Sequence, residues 1–202
     1  PAFYGKETLI LPYTSGELYA LALADGHEIW RESLTANFSG LQSSVSFSGI
    51  GGDPVIDGDV AFAVSNSGAM SVFHAATGQR IWERELGSFN TPWLAGDYIY
   101  VVTNDNTVVS MVKYNGRIRW ATRLADFENE EEKEGAIIWK GPVMVGGTLV
   151  VVGSHGGMVR LDAGDGQILS TQEIPEAIYT SPVVAGGRMY LVGQNATLYS
   201  FE

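Results

Sequence analysis

The sequence of 202 residues contains no cysteine, so neither a disulfide nor thiol chemistry is available to it. Its apolar runs are short, and none approaches the roughly 18 consecutive residues that a membrane-spanning helix needs. Basic side chains are few, because 12 Lys and Arg stand against 23 Asp and Glu, giving a formal charge of −11. This deficit argues against partners such as nucleic acid or an anionic membrane surface, which need clustered Lys and Arg. No initiator Met precedes Pro1, and we expect the chain to be a processed or truncated part of a longer protein.

Proline and glycine recur at a fixed distance. A proline precedes a turn glycine by 24 residues three times, at Pro54–Gly78, Pro92–Gly116 and Pro142–Gly166. Successive prolines at 54 and 92 are 38 residues apart, and short runs rich in Val, Ile, Tyr and Phe lie between them. A period near 40 residues that is built of short strands is typical of a β-propeller blade. Helical repeats of similar period need a helical apolar spacing, which these runs lack.

We therefore predict an all-β fold, a β-propeller of four-stranded antiparallel blades. The predicted units span about 1–34, 54–86, 92–124, 142–174 and 182–202. The last unit ends after its third strand, so about four and three-quarter blades are present. A strand from elsewhere would complete it, and open ends also predict self-association of this chain.

A glycine and a tryptophan mark the last hairpin of each unit. The glycine supplies a positive φ before the fourth strand, and a tryptophan four residues later is predicted to pack between neighbouring blades. Ser170 takes the tryptophan position in the fourth unit. The predicted packing residues are Gly26, Gly78, Gly116, Gly166, Trp30, Trp82 and Trp120.

Two links between units are much longer than the others, namely 35–53 and 125–140. Both join a fourth strand to the next first strand, so we expect them on the face that also carries the turns between second and third strands. The first insertion places Phe38, Leu41, Val45 and Phe47 among Ser and Gly, which fits either a flap on the propeller or an exposed docking patch. The second contains the acidic run Asp126–Glu134, which fits either a solvated loop or a contact for a basic partner.

No convergent catalytic set is visible. His27, His74 and His155 fall in different units without the spacing of metal ligands, and no G-x-S-x-G motif occurs. We therefore predict no catalytic, metal or cofactor site and a non-enzymatic protein.

Three stretches, together with the long loop before Pro54, carry a family resemblance. They are ATGQRIWERELGS (Ala76–Ser88), GDYIYVVTNDNTVVSM (Gly96–Met111) and SPVVAGGRMYLVGQNATLYSF (Ser181–Phe201). The repeat resembles that of the pyrroloquinoline-quinone-type β-propeller family, and within it the lipoproteins of the outer-membrane β-barrel assembly machinery. The resemblance implies an eight-bladed ring, lipid-anchored on the periplasmic side of the outer membrane through a segment that precedes this chain.

The resemblance also implies a function. The protein would be a scaffold that binds the periplasmic domains of the barrel-inserting subunit of the assembly complex. The family's contact uses the long loop before a first strand and a neighbouring acidic turn. These correspond here to Leu41–Ile50, together with Phe38, and to the turn residues Asn104, Asp105 and Asn106.

Two other functions use the same repeat. A quinoprotein dehydrogenase would need a buried quinone over a tryptophan and a calcium with acidic and amide ligands. A sensor propeller would bind a peptide or a glycan. Calcium- and quinone-dependent dye-linked oxidation by the intact protein would identify the first, and a neighbouring kinase or membrane span would identify the second.

Overall fold

The computed structural model describes residues 1–34 and 49–202. Within these ranges every regular element is a β-strand, and neighbouring strands pair antiparallel in sheets of up to four strands. The prediction of an all-β fold with four-stranded antiparallel blades is therefore confirmed. The chain forms two compact units, Pro1–Leu94 and Ala95–Glu202, and each is described by itself.

The first unit contains two four-stranded sheets in which the strands follow one another in chain order. The first sheet consists of β1 (Ala2–Tyr4), β2 (Thr8–Pro12), β3 (Glu17–Ala22) and β4 (Glu28–Ser33). The second sheet consists of β5 (Val55–Asp57), β6 (Val60–Val64), β7 (Ala69–His74) and β8 (Arg80–Glu85).

The core of the first unit lies between these two sheets. Ile10 and Leu18 of the first sheet and Phe73 of the second are fully buried in one apolar cluster. Trp30 of β4 joins this cluster, with its ring centroid 6.2 Å from that of Phe73. Small residues on β6, Ala61 and Ala63, allow the two sheets to approach closely.

The third sheet begins at the boundary between the units, which falls inside β9. It consists of β9 (Trp93–Ala95), β10 (Tyr98–Val102), β11 (Thr107–Val112) and β12 (Ile118–Arg123). A two-stranded hairpin follows, formed by β13 (Phe127–Asn129) and β14 (Glu134–Ala136).

Two further sheets complete the second unit. The fourth consists of β15 (Trp139–Val145), β16 (Thr148–Gly153), β17 (Gly157–Asp162) and β18 (Ile168–Glu173). The fifth has three strands, β19 (Val183–Ala185), β20 (Arg188–Val192) and β21 (Leu198–Phe201). In the fourth sheet the second strand is the more buried one and the fourth strand is exposed. β16 buries five of its six residues, and β18 buries none.

The hairpin between the third and fourth strands has the same construction in four sheets. Its glycine has φ of +75°, +73°, +65° and +78° at Gly26, Gly78, Gly116 and Gly166. A register shift follows at the same point of each hairpin, typical of a β-bulge. Just before the shift, the paired residues are Ala20 with Trp30, Val72 with Trp82, Ser110 with Trp120 and Arg160 with Ser170.

The region 125–140 is more regular than a loop. Besides the β13–β14 hairpin, it contains the start of β15, which begins at Trp139 rather than at Pro142. Trp139 and Lys140 pair with Gly153 and Val152, so the first strand of the fourth sheet starts three residues before the proline. A register shift between Lys140 and Val143 accommodates the proline, which has no N–H to donate.

Candidate protein-binding surface

The turn between β10 and β11 contains the predicted contact residues Asn104, Asp105 and Asn106. Asn104 and Asp105 are exposed, and Asn106 is half-buried with a φ of +59°. Asparagine tolerates this left-handed conformation better than most residues do. The Thr103 hydroxyl accepts a hydrogen bond from the Thr107 amide at 3.1 Å and donates to the Asp105 carboxylate. The carboxylate of Asp105 is therefore held at the tip of an ordered turn.

The side chain of Asn106 connects this turn to the second insertion. Its amide nitrogen donates to Oδ1 of Asp126 at 3.0 Å and to the carbonyl of Ile137 at 3.3 Å. The backbone carbonyl of Asn106 accepts from the backbone amide of Leu124 at 2.9 Å. Asn106 thus contacts both ends of the segment that carries the acidic run.

Arg123, at the end of β12, bridges two carboxylates. Its guanidinium lies 3.0 Å from Oδ2 of Asp105 and 2.6 Å from Oδ2 of Asp126. The hydrogen bond from Arg123 lowers the pKa of Asp126 below its ordinary value, and Asn106 acts in the same direction. The same bond raises the pKa of Arg123. Because these side chains are largely exposed, the bridges position the carboxylates more than they stabilise the fold.

The acidic run forms an ordered arm rather than a flexible loop. Between 126 and 134 the sequence has six Asp and Glu and one Lys. The carboxylate of Glu130 accepts from the amides of Asp126 and Phe127 at 2.7 and 3.2 Å. Oδ1 of Asn129 accepts from the amides of Glu131 and Glu132, which closes the turn of the hairpin. The result is a protruding strand pair with a high density of negative charge.

A groove of about 500 Å³ lies beside this arm, between the end of β12 and the fourth sheet. Trp139 lines it, and the indole N–H of Trp139 donates to the carbonyl of Ala125 at 2.8 Å. The rings of His155 and Trp139 are nearly perpendicular, with their centroids 5.4 Å apart. The lining residues are Arg123, Leu124, Ala125, Trp139, His155, Gly157, Met158, Val159, Ile168, Thr171, Gln172 and Glu173.

In the first unit, the two ends of the first insertion lie against turns between second and third strands. The amide of Leu34 donates to the carbonyl of Gly16 at 2.8 Å. Gly49 and Asn66 exchange hydrogen bonds, since the Gly49 amide donates to Oδ1 of Asn66 and the Asn66 amide donates to the Gly49 carbonyl. The predicted contact residues Phe38, Leu41, Val45 and Phe47 lie outside the described residues.

Four of the seven predicted packing residues, Trp30, Gly78, Trp120 and Gly166, meet in pairs across two sheets of one unit. In the first, the indole N–H of Trp30 donates to the carbonyl of Ala75 at 2.9 Å, and a methyl group added at Gly78 would lie 2.8 Å from the Trp30 ring. In the second, Trp120 donates to the carbonyl of Ala163 at 3.2 Å, and a methyl group at Gly166 would lie 2.5 Å from the Trp120 ring. Trp82 is 9% exposed. Gly26 and Gly116 have the same positive-φ turn conformation as Gly78 and Gly166.

Arg123, Trp139 and the groove were not predicted from the sequence. Arg123 ends a strand, where a basic residue is unremarkable, and its carboxylate partners lie 18 residues before it and 3 after it. A tryptophan three residues before Pro142 is a weak signal, because only this unit has one there. His155 lies in the turn between β16 and β17 and is exposed.

Within residues 1–34 and 49–202 no three or more His, Asp and Glu side chains group as metal ligands would. Over the same residues no helix has the length and hydropathy needed to cross a membrane.

The repeated sheets, the shared glycine turn and the inter-sheet tryptophans define a β-propeller. The crystal structure of BamB from Moraxella catarrhalis superposes with a TM-score of 0.82 at 20% identity, covering 99% of this chain and 56% of that one. A quinohemoprotein alcohol dehydrogenase from Pseudomonas putida gives a TM-score of 0.66 at 12% identity, covering 98% of this chain and 39% of that one. At these identities both comparisons concern the fold alone.

Sequence comparison identifies the family. A profile described as outer membrane protein assembly factor BamB matches residues 1–122 and 123–202. The chain therefore belongs to the BamB family. The outer membrane protein assembly factor BamB of Escherichia coli is 26% identical over 187 residues, which are 92% of this chain and 45% of the relative. This chain thus spans about half the length of that relative.

Proposed function

We propose that this chain belongs to a non-enzymatic scaffold for the assembly of outer-membrane β-barrel proteins, on the periplasmic side of the outer membrane. The observation that carries the proposal is the family match, which extends over both parts of the chain. Because relatives are about twice as long, the proposed eight-bladed ring and the proposed lipid anchor both involve sequence beyond these residues.

The proposed partner is the barrel-inserting subunit, which would bind through its periplasmic domains. The turn Asn104–Asn106 supplies one proposed contact, because Asp105 is exposed and held by Thr103, Thr107 and Arg123. A carboxylate fixed in this way loses little side-chain entropy on binding. The apolar residues Phe38, Leu41, Val45 and Phe47 supply a second proposed contact.

The charge of the chain indicates the chemistry of the partner surface. With a formal charge of −11 and a protruding acidic arm, the protein attracts a basic surface and repels an acidic one. We therefore expect the association rate to fall as the salt concentration rises, because exposed charges are screened.

Titration of the full-length parent with the purified periplasmic domains tests this function. We expect saturable binding and about tenfold weaker binding by Asp105→Lys, which reverses a charge at the proposed contact. Asp97→Lys is the matched control, since Asp97 is exposed in the β9–β10 turn, at the opposite end of β10. It should bind within about twofold of the parent.

Two results would contradict the proposal. One is the absence of binding by the intact parent at both low and moderate salt. The other is dye-linked alcohol oxidation by the parent supplied with calcium and pyrroloquinoline quinone, which would establish the dehydrogenase alternative.

A further inference from the structure

The groove beside the acidic arm has no role in the function proposed above. Its floor is apolar and well buried, because Leu124, Trp139, Met158 and Val159 are between 1% and 6% exposed. A volume of about 500 Å³ falls within the range of pockets that hold ligands. This volume is larger than the cavity created when one buried side chain is removed. The groove therefore has room for large apolar groups of a partner.

One wall of the groove is an edge strand. β18 lies at the edge of the fourth sheet, and all six of its residues are exposed. Ile168, which is 50% exposed, and Thr171 line the groove from this strand. Exposed edge strands are the sites at which extended peptides lie along a sheet.

The rim of the groove is negative. Ala125 and Trp139 line the groove and directly precede and follow the segment 126–138 that carries the acidic arm, so both ends of this segment lie beside the groove. Glu173 adds a carboxylate from the opposite wall. Arg123 is the one Lys or Arg of the lining, and two carboxylates already neutralise its guanidinium.

We propose that this groove binds an extended peptide segment that places a large apolar side chain on Trp139 and Met158 and flanking Lys or Arg side chains against the acidic arm. The apolar floor selects the anchor, and the carboxylates of the arm and of Glu173 select its basic neighbours. An acidic peptide is repelled from the rim, and a basic peptide without the anchor leaves the floor unfilled.

A labelled short peptide with a central Phe-Leu pair between lysines tests the proposal, by fluorescence anisotropy with the 202-residue protein. We expect saturable binding that weakens about tenfold when Ser replaces Phe-Leu, and at least as much when Glu replaces the lysines. Salt should weaken it several-fold between about 50 and 300 mM. The protein variant Glu128→Gln/Glu131→Gln/Glu134→Gln should bind more weakly and show less dependence on salt.

A matched pair of variants separates the groove from general attraction to an acidic protein. Thr171→Arg places a long cation at the groove, whereas Ser170→Arg places it on the adjacent exposed position of β18, outside the lining. We expect about tenfold weaker binding for Thr171→Arg and about twofold or less for Ser170→Arg, with both thermal midpoints near that of the parent.

Equal binding by these two variants, or by the lysine and glutamate peptides, would overturn the inference. So would the absence of saturation. The assay contains no barrel-inserting subunit, so a negative result leaves the proposed scaffold function standing. Conversely, peptide binding does not depend on that function.

Discussion

Two junctions in the second unit are held in different ways. Between the third and fourth sheets, Trp120 covers Gly166 and donates to Ala163. At the next junction, Ser170 stands in the tryptophan position, and Glu176 binds the fifth sheet instead. Its carboxylate accepts from the Thr197 hydroxyl at 2.5 Å, the Asn195 amide at 3.0 Å and the Tyr199 hydroxyl at 3.0 Å. One repeat can therefore use either an apolar or a polar connection between sheets.

Removing the tryptophan gives the largest expected effect. Trp120→Ala should lower the free energy of unfolding by about 3 kcal/mol, because a large inter-sheet contact is lost, and Trp82→Ala by as much or more. Ser170→Ala, at the equivalent position of the other junction, should change it by less than about 0.5 kcal/mol. Urea denaturation of the three variants measures the difference. Midpoints within error of the parent for both tryptophan variants would contradict it.

Filling the space beneath the tryptophan should be nearly as costly. Gly166→Ala adds a methyl group 2.5 Å from the Trp120 ring, at a φ of +78°. We expect a loss of about 2–3 kcal/mol, from overpacking and left-handed strain together. Gly26→Ala has a similar φ of +75° but nothing within 4 Å of the added methyl group, so it should lose only about 1 kcal/mol. Equal losses would show that backbone strain alone accounts for the effect.

The polar junction should depend on pH. The hydrogen bond from Thr197, with that from Asn195, lowers the pKa of Glu176 below its ordinary value. Its stabilisation is therefore complete above the unfolded-state pKa of about 4.3 and disappears as the pH falls through the lower folded-state value. Glu176→Gln should lose less stability than the parent between about pH 5 and pH 3, as measured by urea midpoints. Identical losses in the two proteins would contradict this role.

Much of the fold could be predicted because its signals are local and repeated. The spacing from Pro54 to Gly78, found twice more, determines where the strands and turns lie. A glycine with positive φ and a tryptophan four residues later form one hairpin, so neither depends on distant sequence.

The groove and the hairpin form of the acidic arm could not be predicted, for two different reasons. The arm consists mostly of glutamates, which have low strand propensity, and it forms a hairpin because Glu130 and Asn129 bind its backbone. The groove combines Arg123, Trp139 and Thr171, which belong to two sheets and lie far apart in sequence. The sequence could suggest the acidic run as a contact, but not the cavity beside it.

The bulge that precedes each tryptophan restricts where residues can be inserted into or deleted from this protein. Between the turn glycine and the paired tryptophan the spacing is four residues in every case, at Gly26–Trp30, Gly78–Trp82 and Gly116–Trp120. A deletion or insertion of a single residue there would turn the indole to the opposite side of its sheet, because side chains alternate along a strand. The connections after the fourth strands lie outside this constraint, and two of them, 35–53 and 125–140, are the long links of this chain.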